Sequence, residues 1–182
     1  ARILAAITTF GLVMAQAAGR EPATDYLGDV PGLVILHSQA WGELGWNTSA
    51  HAQGQAGLPL EIGGKTYAEG LGHHANGSIT IALDGQYASF DAEVGLQPCD
   101  GGSVIFRVLV DGEKRYDGGI MRSKDAPKAV HVALAGGQEL VLEANDAGDG
   151  INCDMANWAE ARLARALGSP QPSAENEPVD VG

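Results

Sequence analysis

Lysine and arginine are scarce in this chain, eleven against 23 aspartates and glutamates over 182 residues, for a formal net charge of −12. A field of that sign repels phosphate backbones and anionic headgroups, which argues against nucleic acid and membrane surfaces as partners. Acidity alone otherwise denotes a well-solvated surface. Aromatic side chains make up only 5% of the sequence, while 26 residues are glycine, a composition that fits one globular domain with a single core. The two cysteines lack the Cys-x-x-Cys spacing of a structural zinc site. No serine stands in a Gly-x-Ser-x-Gly elbow, which removes the serine-elbow hydrolases. Gly70-x-Gly72 lacks the third glycine and the following helix of a dinucleotide site. Carboxylate pairs of the glycosidase kind depend on approach in space rather than on spacing, so a small hydrolase stays open as a minor alternative.

Long apolar runs are also missing, with one exception at the start. Arg2 is followed by an uncharged apolar stretch to Met14, and Ala15-Gln16-Ala17 supplies a small-x-small cleavage pattern, so residues 1–17 are read as a secretory signal peptide. The protein is therefore expected outside the cytoplasm, secreted or periplasmic. In that oxidising setting Cys99 and Cys153 are expected to pair, closing a loop of about 50 residues worth on the order of 3–4 kcal/mol. Residues 167–182 carry three prolines and three acids with no base, which reads as a disordered acidic tail.

Between them, residues 25–166 form one domain of short β-type segments divided by Gly and Asp. Alternation runs through Ile79, Ile81 and Leu83, then Phe90, Ala92 and Val94, then Val104, Phe106, Val108 and Val110. Asp111-Gly112 is a tight hairpin signal, Val130, Val132 and Leu134 alternate again, and Ala159, Ala161 and Leu163 suggest a closing strand. Without a long helical period, this predicts an antiparallel β-sandwich or barrel whose functional surface lies on end loops or a concave sheet face. Adjacent His73 and His74 would point to opposite faces of a strand, so they do not share one metal ion, and one is expected to be structural.

From Glu139 to Glu160 there are six acids and no base, interleaved with Asn and Gly. Such oxygen-rich sequence suits calcium, with Asp146, Asp149 and Glu160 as candidate ligands, although the spacing is not that of an EF-hand. A solvated loop of Asx turns is the alternative. Trp158 at the exit of this stretch suggests a sugar stacking on its ring while neighbouring Asp and Asn take hydroxyls, against core packing as the commoner fate of a tryptophan. Trp41 and Trp46 lie in a similar Gly- and Asn-rich stretch.

Taken together, Tyr26-Leu27-Gly28-Asp29-Val30, Trp41-Gly42, Gly70-Leu71-Gly72-His73-His74-Ala75, Tyr116-Asp117-Gly118-Gly119 and Asp146-Ala147-Gly148-Asp149-Gly150, with Asp154 and Trp158-Ala159-Glu160, resemble the NPCBM domain, carbohydrate-binding module family 51. The resemblance implies a β-sandwich of jelly-roll type that binds galactose-type glycans without catalysis. It also implies a glycoside hydrolase as a companion and, in some members, a structural Ca2+ ion. His74 falls on the family's histidine. Met155 stands where the family often has His, and Asn157 where Asp is common, which bears on sugar specificity. The expected site comprises Trp41, His74, Asp149, Asp154, Asn157 and Trp158. The alternative function is an extracellular or envelope protein-interaction scaffold on the same fold.

Overall fold

A computed structural model describes residues 22–168. The expected signal segment, residues 1–17, lies outside the described residues, as does the expected tail apart from Leu167 and Gly168. Thirteen strands follow one another among the described residues, with one short 3-10 turn and no α-helix. They are β1 (Thr24–Tyr26), β2 (Val34–Ser38), β3 (Gly45–Trp46), β4 (Leu60–Ile62), β5 (Lys65–Tyr67), β6 (Gly70–His74) and β7 (Gly77–Ala82). The remainder are β8 (Tyr87–Leu96), β9 (Ser103–Val110), β10 (Glu113–Arg122), β11 (Lys128–Ala133), β12 (Glu139–Asn145) and β13 (Met155–Arg165).

One sheet has the order β11-β8-β13-β6-β3, with β1 pairing the far half of β13; the other runs β10-β9-β12-β7-β2. Every pairing is antiparallel. Alternation drives the packing. In β9, Val104, Phe106, Val108 and Val110 are buried while Ile105, Arg107 and Leu109 between them are partly exposed. The hairpin after it uses Asp111 at φ 51° and Gly112 at φ 79°, the two successive left-handed residues of a type I′ turn. The Asp111 carboxylate then accepts the Gln138 and Glu139 amides at 2.9 Å each, fixing the start of β12 against this turn. The result is an antiparallel β-sandwich of the jelly-roll kind, with Phe90, Trp158 and Leu163 of one sheet in the same core as Ile79, Phe106 and Leu142 of the other.

The closing strand begins earlier than its alternation suggests and changes parity midway. Glu160 sits at φ 51° within a register shift between Ala159 and Arg162, a β-bulge. Before the bulge Ala156 and Trp158 face the main core; after it, Ala161 and Leu163 do. Ala159, expected on the face of Ala161 and Leu163, instead joins Leu60, Ile62 and Tyr67 in a small second cluster beneath the β4–β5 ribbon. The ribbon is further held by Tyr67 and Lys65, both of which donate to Glu93. Gly70 has φ 140°, and a Cβ there would overlap the Trp158 carbonyl, so the first glycine of the Gly-Leu-Gly motif is required by the close approach of β6 to β13.

Candidate functional site

At one end of the sandwich, the loops β2–β3, β8–β9 and β12–β13 gather over the paired ends of β6 and β13, where His74 lies opposite Met155. They enclose a cleft of about 480 Å³, within the size range of small-ligand sites. Trp41, His74 and Met155 line it together with Gly150, Ile151 and Asn152. The Cys99–Cys153 disulfide, formed with Cα atoms 5.7 Å apart, completes the wall.

Trp41 is 45% exposed and its ring centroid lies 5.4 Å from that of His74, at an interplanar angle of 57°. A large ring left in water at a cleft rim is available for stacking on an apolar ligand face. His74 itself is buried to 6% exposure. Its Nδ1 lies 2.6 Å from the Ala75 carbonyl oxygen. That oxygen accepts only, so in the neutral ring the proton sits on Nδ1 and Nε2 remains an acceptor. The Gln39 side-chain oxygen accepts the His74 amide at 3.3 Å, anchoring the β2–β3 loop that carries Trp41.

The acidic segment between β12 and β13 is built largely on itself. Asp146 accepts the Gly148 amide at 3.0 Å, an Asx turn, and the Asp149 amide donates to the Asp146 carbonyl at 3.2 Å. Ser103 clamps it from β9: its hydroxyl donates to Asp149 at 2.7 Å and its amide to Asp154 at 2.9 Å. Burial pushes the Asp154 carboxyl up, with Asp149 and Asp146 adding to the effect, while the Ser103 amide works against it.

The structure therefore separates the expected site residues. Trp41 and His74 line the cleft. Trp158 does not: it is fully buried, its ring centroid 5.2 Å from Phe106 and 6.2 Å from Phe90, and its Nε1–H donates to His73 Nε2 at 3.1 Å. Strand alternation turns Met155 to the cleft and Trp158 to the core. Asn157 is also fully buried, its amide donating to Gln97 Oε1 at 2.6 Å and to the Glu61 carbonyl at 3.1 Å, which ties β13 to the ribbon. Asp154 is fully buried, and Asp149, though exposed, is not among the cleft's lining residues. The sequence marks Met155 only through the family's histidine position, and it does not mark Ile151 or the disulfide as lining groups. The pairing of Met155 with His74 across two strands was their signal, and it needs the register of β13 to be seen.

The three candidate calcium ligands also fail to meet. Asp146 and Asp149 precede β13, whereas Glu160 lies at its bulge, where its amide donates to the Glu69 carbonyl at 2.9 Å. No three His, Cys, Asp or Glu side chains converge to hold a metal among the described residues. Glu69 and Asp29 do crowd one another, however. Burial pushes the Glu69 carboxyl up, the adjacent Asp29 adds to this, and Glu160 contributes less. Glu69 Oε2 is buried without a hydrogen-bond partner.

Residues 24–164 match the profile of the NPCBM/NEW2 domain. A solved CBM51 from Clostridium perfringens GH95, in complex with methyl-galactose, shares 28% identity at a TM-score of 0.69, covering 78% of this chain and 100% of that one. A structure of the M60 catalytic domain with CBM51-1 and CBM51-2 from Clostridium perfringens ZmpB shares 34% identity at a TM-score of 0.67, over 79% of this chain and 15% of that one. Among curated proteins, alpha-1,3-galactosidase B of Akkermansia muciniphila is 33% identical over 159 residues, 82% of this chain. The chain spans only 8% and 19% of the lengths of the curated relatives it matches.

Proposed function

From the premise that this chain belongs to the NPCBM/NEW2 domain family and is a non-catalytic module of the carbohydrate-binding kind, we propose that the Trp41–His74 cleft holds the terminal sugar of a galactose-type glycan. The observation that carries this reading is the exposed Trp41 ring set 5.4 Å from His74 over a cleft at the loop end of the sandwich. The apolar face of a galactoside stacks on Trp41, and His74 Nε2 accepts from a hydroxyl on its edge. Because His74 is held at its backbone by Gln39 and at its ring by Ala75, little ordering remains to be done on binding. The solved relative in complex with methyl-galactose supports the choice of sugar.

The catalytic companions of its relatives support a role in holding an enzyme near its glycan, where tethering raises the local concentration. The apolar run within residues 1–17 and the Cys99–Cys153 bridge support a secreted or periplasmic location. We place calcium at Asp29 and Glu69 rather than at the Asp146 loop. The unpartnered Glu69 oxygen and the repulsion it feels from Asp29 support that placement. The ion would supply positive charge there, with amide and backbone oxygens completing its shell.

Calorimetric titration with methyl-galactoside tests the sugar site. The unaltered module binds, and Trp41→Ala weakens binding by about 30-fold, the loss of roughly 2 kcal/mol expected of an aromatic anchor. Equal affinity in a folded Trp41→Ala variant overturns the site. Absence of binding to any glycan favours the scaffold alternative.

A further inference from the structure

Resting on the reading that the cleft takes a terminal sugar, we infer that it selects a 2-acetamido sugar, of the N-acetylgalactosamine type, over the parent hexose. The observation is the poverty of polar side chains around it. Facing the ligand space are Ile151, Met155 and the Cys99–Cys153 bridge, with His74 and Asn152 as the polar side chains among the lining residues. Ile151 is 38% exposed although it is the one large aliphatic residue of the β12–β13 loop. The nearby carboxylates do not line the cleft: Asp149 accepts the Ser103 hydroxyl, and Asp154, which accepts the Ser103 amide, is fully buried.

A hexose offers a hydroxyl at each of its free ring carbons, and a hydroxyl pressed against an apolar side chain gives up water without gaining a partner. Trp41 accommodates the C–H face and His74 one hydroxyl, which leaves Asn152 as the polar side chain of a wall otherwise formed by Ile151, Met155 and the disulfide. Replacing the C2 hydroxyl by an acetamido group resolves the mismatch. Its methyl finds apolar contact with Ile151 and Met155, while its amide presents one donor and one acceptor to the Asn152 side chain, which has both. Met155 is decisive here, because a histidine or carboxylate in its place would restore a partner for a hydroxyl.

The test is calorimetry or saturation-transfer NMR with four sugars, galactose, N-acetylgalactosamine, glucose and N-acetylglucosamine, on the unaltered module and on Ile151→Ser. We expect N-acetylgalactosamine to bind roughly tenfold or more tightly than galactose, the discrimination one methyl-sized group commands in an apolar pocket, and Ile151→Ser to shrink that ratio below about threefold. Thermal melting of the variant confirms its fold. Galactose binding as tightly as its acetamido counterpart, with Trp41→Ala abolishing both, overturns this inference and leaves the sugar site standing. Binding of none of the four overturns both.

Discussion

His73 has no exposure, accepts the Trp158 indole at Nε2, and is pushed down to about 3 by burial, with His74 and His37 adding to the effect. Its neighbour His74 faces the cleft, so one residue step along β6 separates a core histidine from a ligand-facing one. The unfolded chain protonates His73 near its ordinary value of 6.5, whereas the folded chain resists until about 3. The stability that neutral His73 contributes is therefore complete above pH 6.5 and is lost progressively as pH falls towards 3, on the order of several kcal/mol across the window. Urea unfolding at pH 7 and pH 5 should show the module weakening over that interval, before most carboxylates titrate. His73→Gln, which keeps an acceptor for Trp158, should flatten the slope. An unchanged slope in that variant would remove His73 as its source.

Between strands, the cleft owes its shape to two ties. The disulfide joins the β8–β9 loop to the β12–β13 loop across 54 residues of sequence, and Ser103 at the start of β9 bonds Asp149 and Asp154. In the chain-entropy picture a loop of that length is worth about 4 kcal/mol. Replacing both cysteines by serine should lower unfolding stability by about that amount and weaken sugar binding as well, since the bridge is part of the wall. Calorimetry and denaturation on the same sample check both, and undiminished affinity would show that the loops hold their positions without it. Strands β7, β8, β9 and β11 were legible because their alternation is clean and Gly and Asp punctuate it. Strand β13 was misread because the bulge at Glu160 inverts the alternation. Without that register, Ala159 falls on the wrong face, and Trp158 looks like part of a loop although it anchors the core. Asn157 and Asp154 misled for a related reason: polar side chains in an acidic stretch suggest a surface, but their partners Gln97, Glu61 and Ser103 are distant in sequence.

At the scale of the whole molecule, a net charge of −12 leaves cation binding as the electrostatic role most in keeping with the field. Calcium at Asp29 and Glu69 should raise the melting temperature, because an ion bound only by the folded state stabilises it by mass action. A chelator should reverse this, and Glu69→Gln should make melting insensitive to both. A melting temperature indifferent to calcium in the unaltered protein would contradict the placement. The sandwich and the two cleft residues Trp41 and His74 follow from motif and pattern. The apolar wall emerges only from the fold, because it sets Cys99 of the β8–β9 loop against Ile151 and Met155, some fifty residues further along the chain.

In the proposed site the sugar sits between Trp41, His74 and the loop from Gly150 to Cys153. The most direct measurement of that placement is amide and side-chain NMR shift mapping during titration with a galactose-type sugar. Shifts are expected to be confined to the Trp41 indole, the His74 ring and the backbone of residues 150–155, with the buried Trp158 indole proton unmoved. Shifts centred on Trp158 or on the β4–β5 ribbon, with Trp41 and His74 silent, would contradict it.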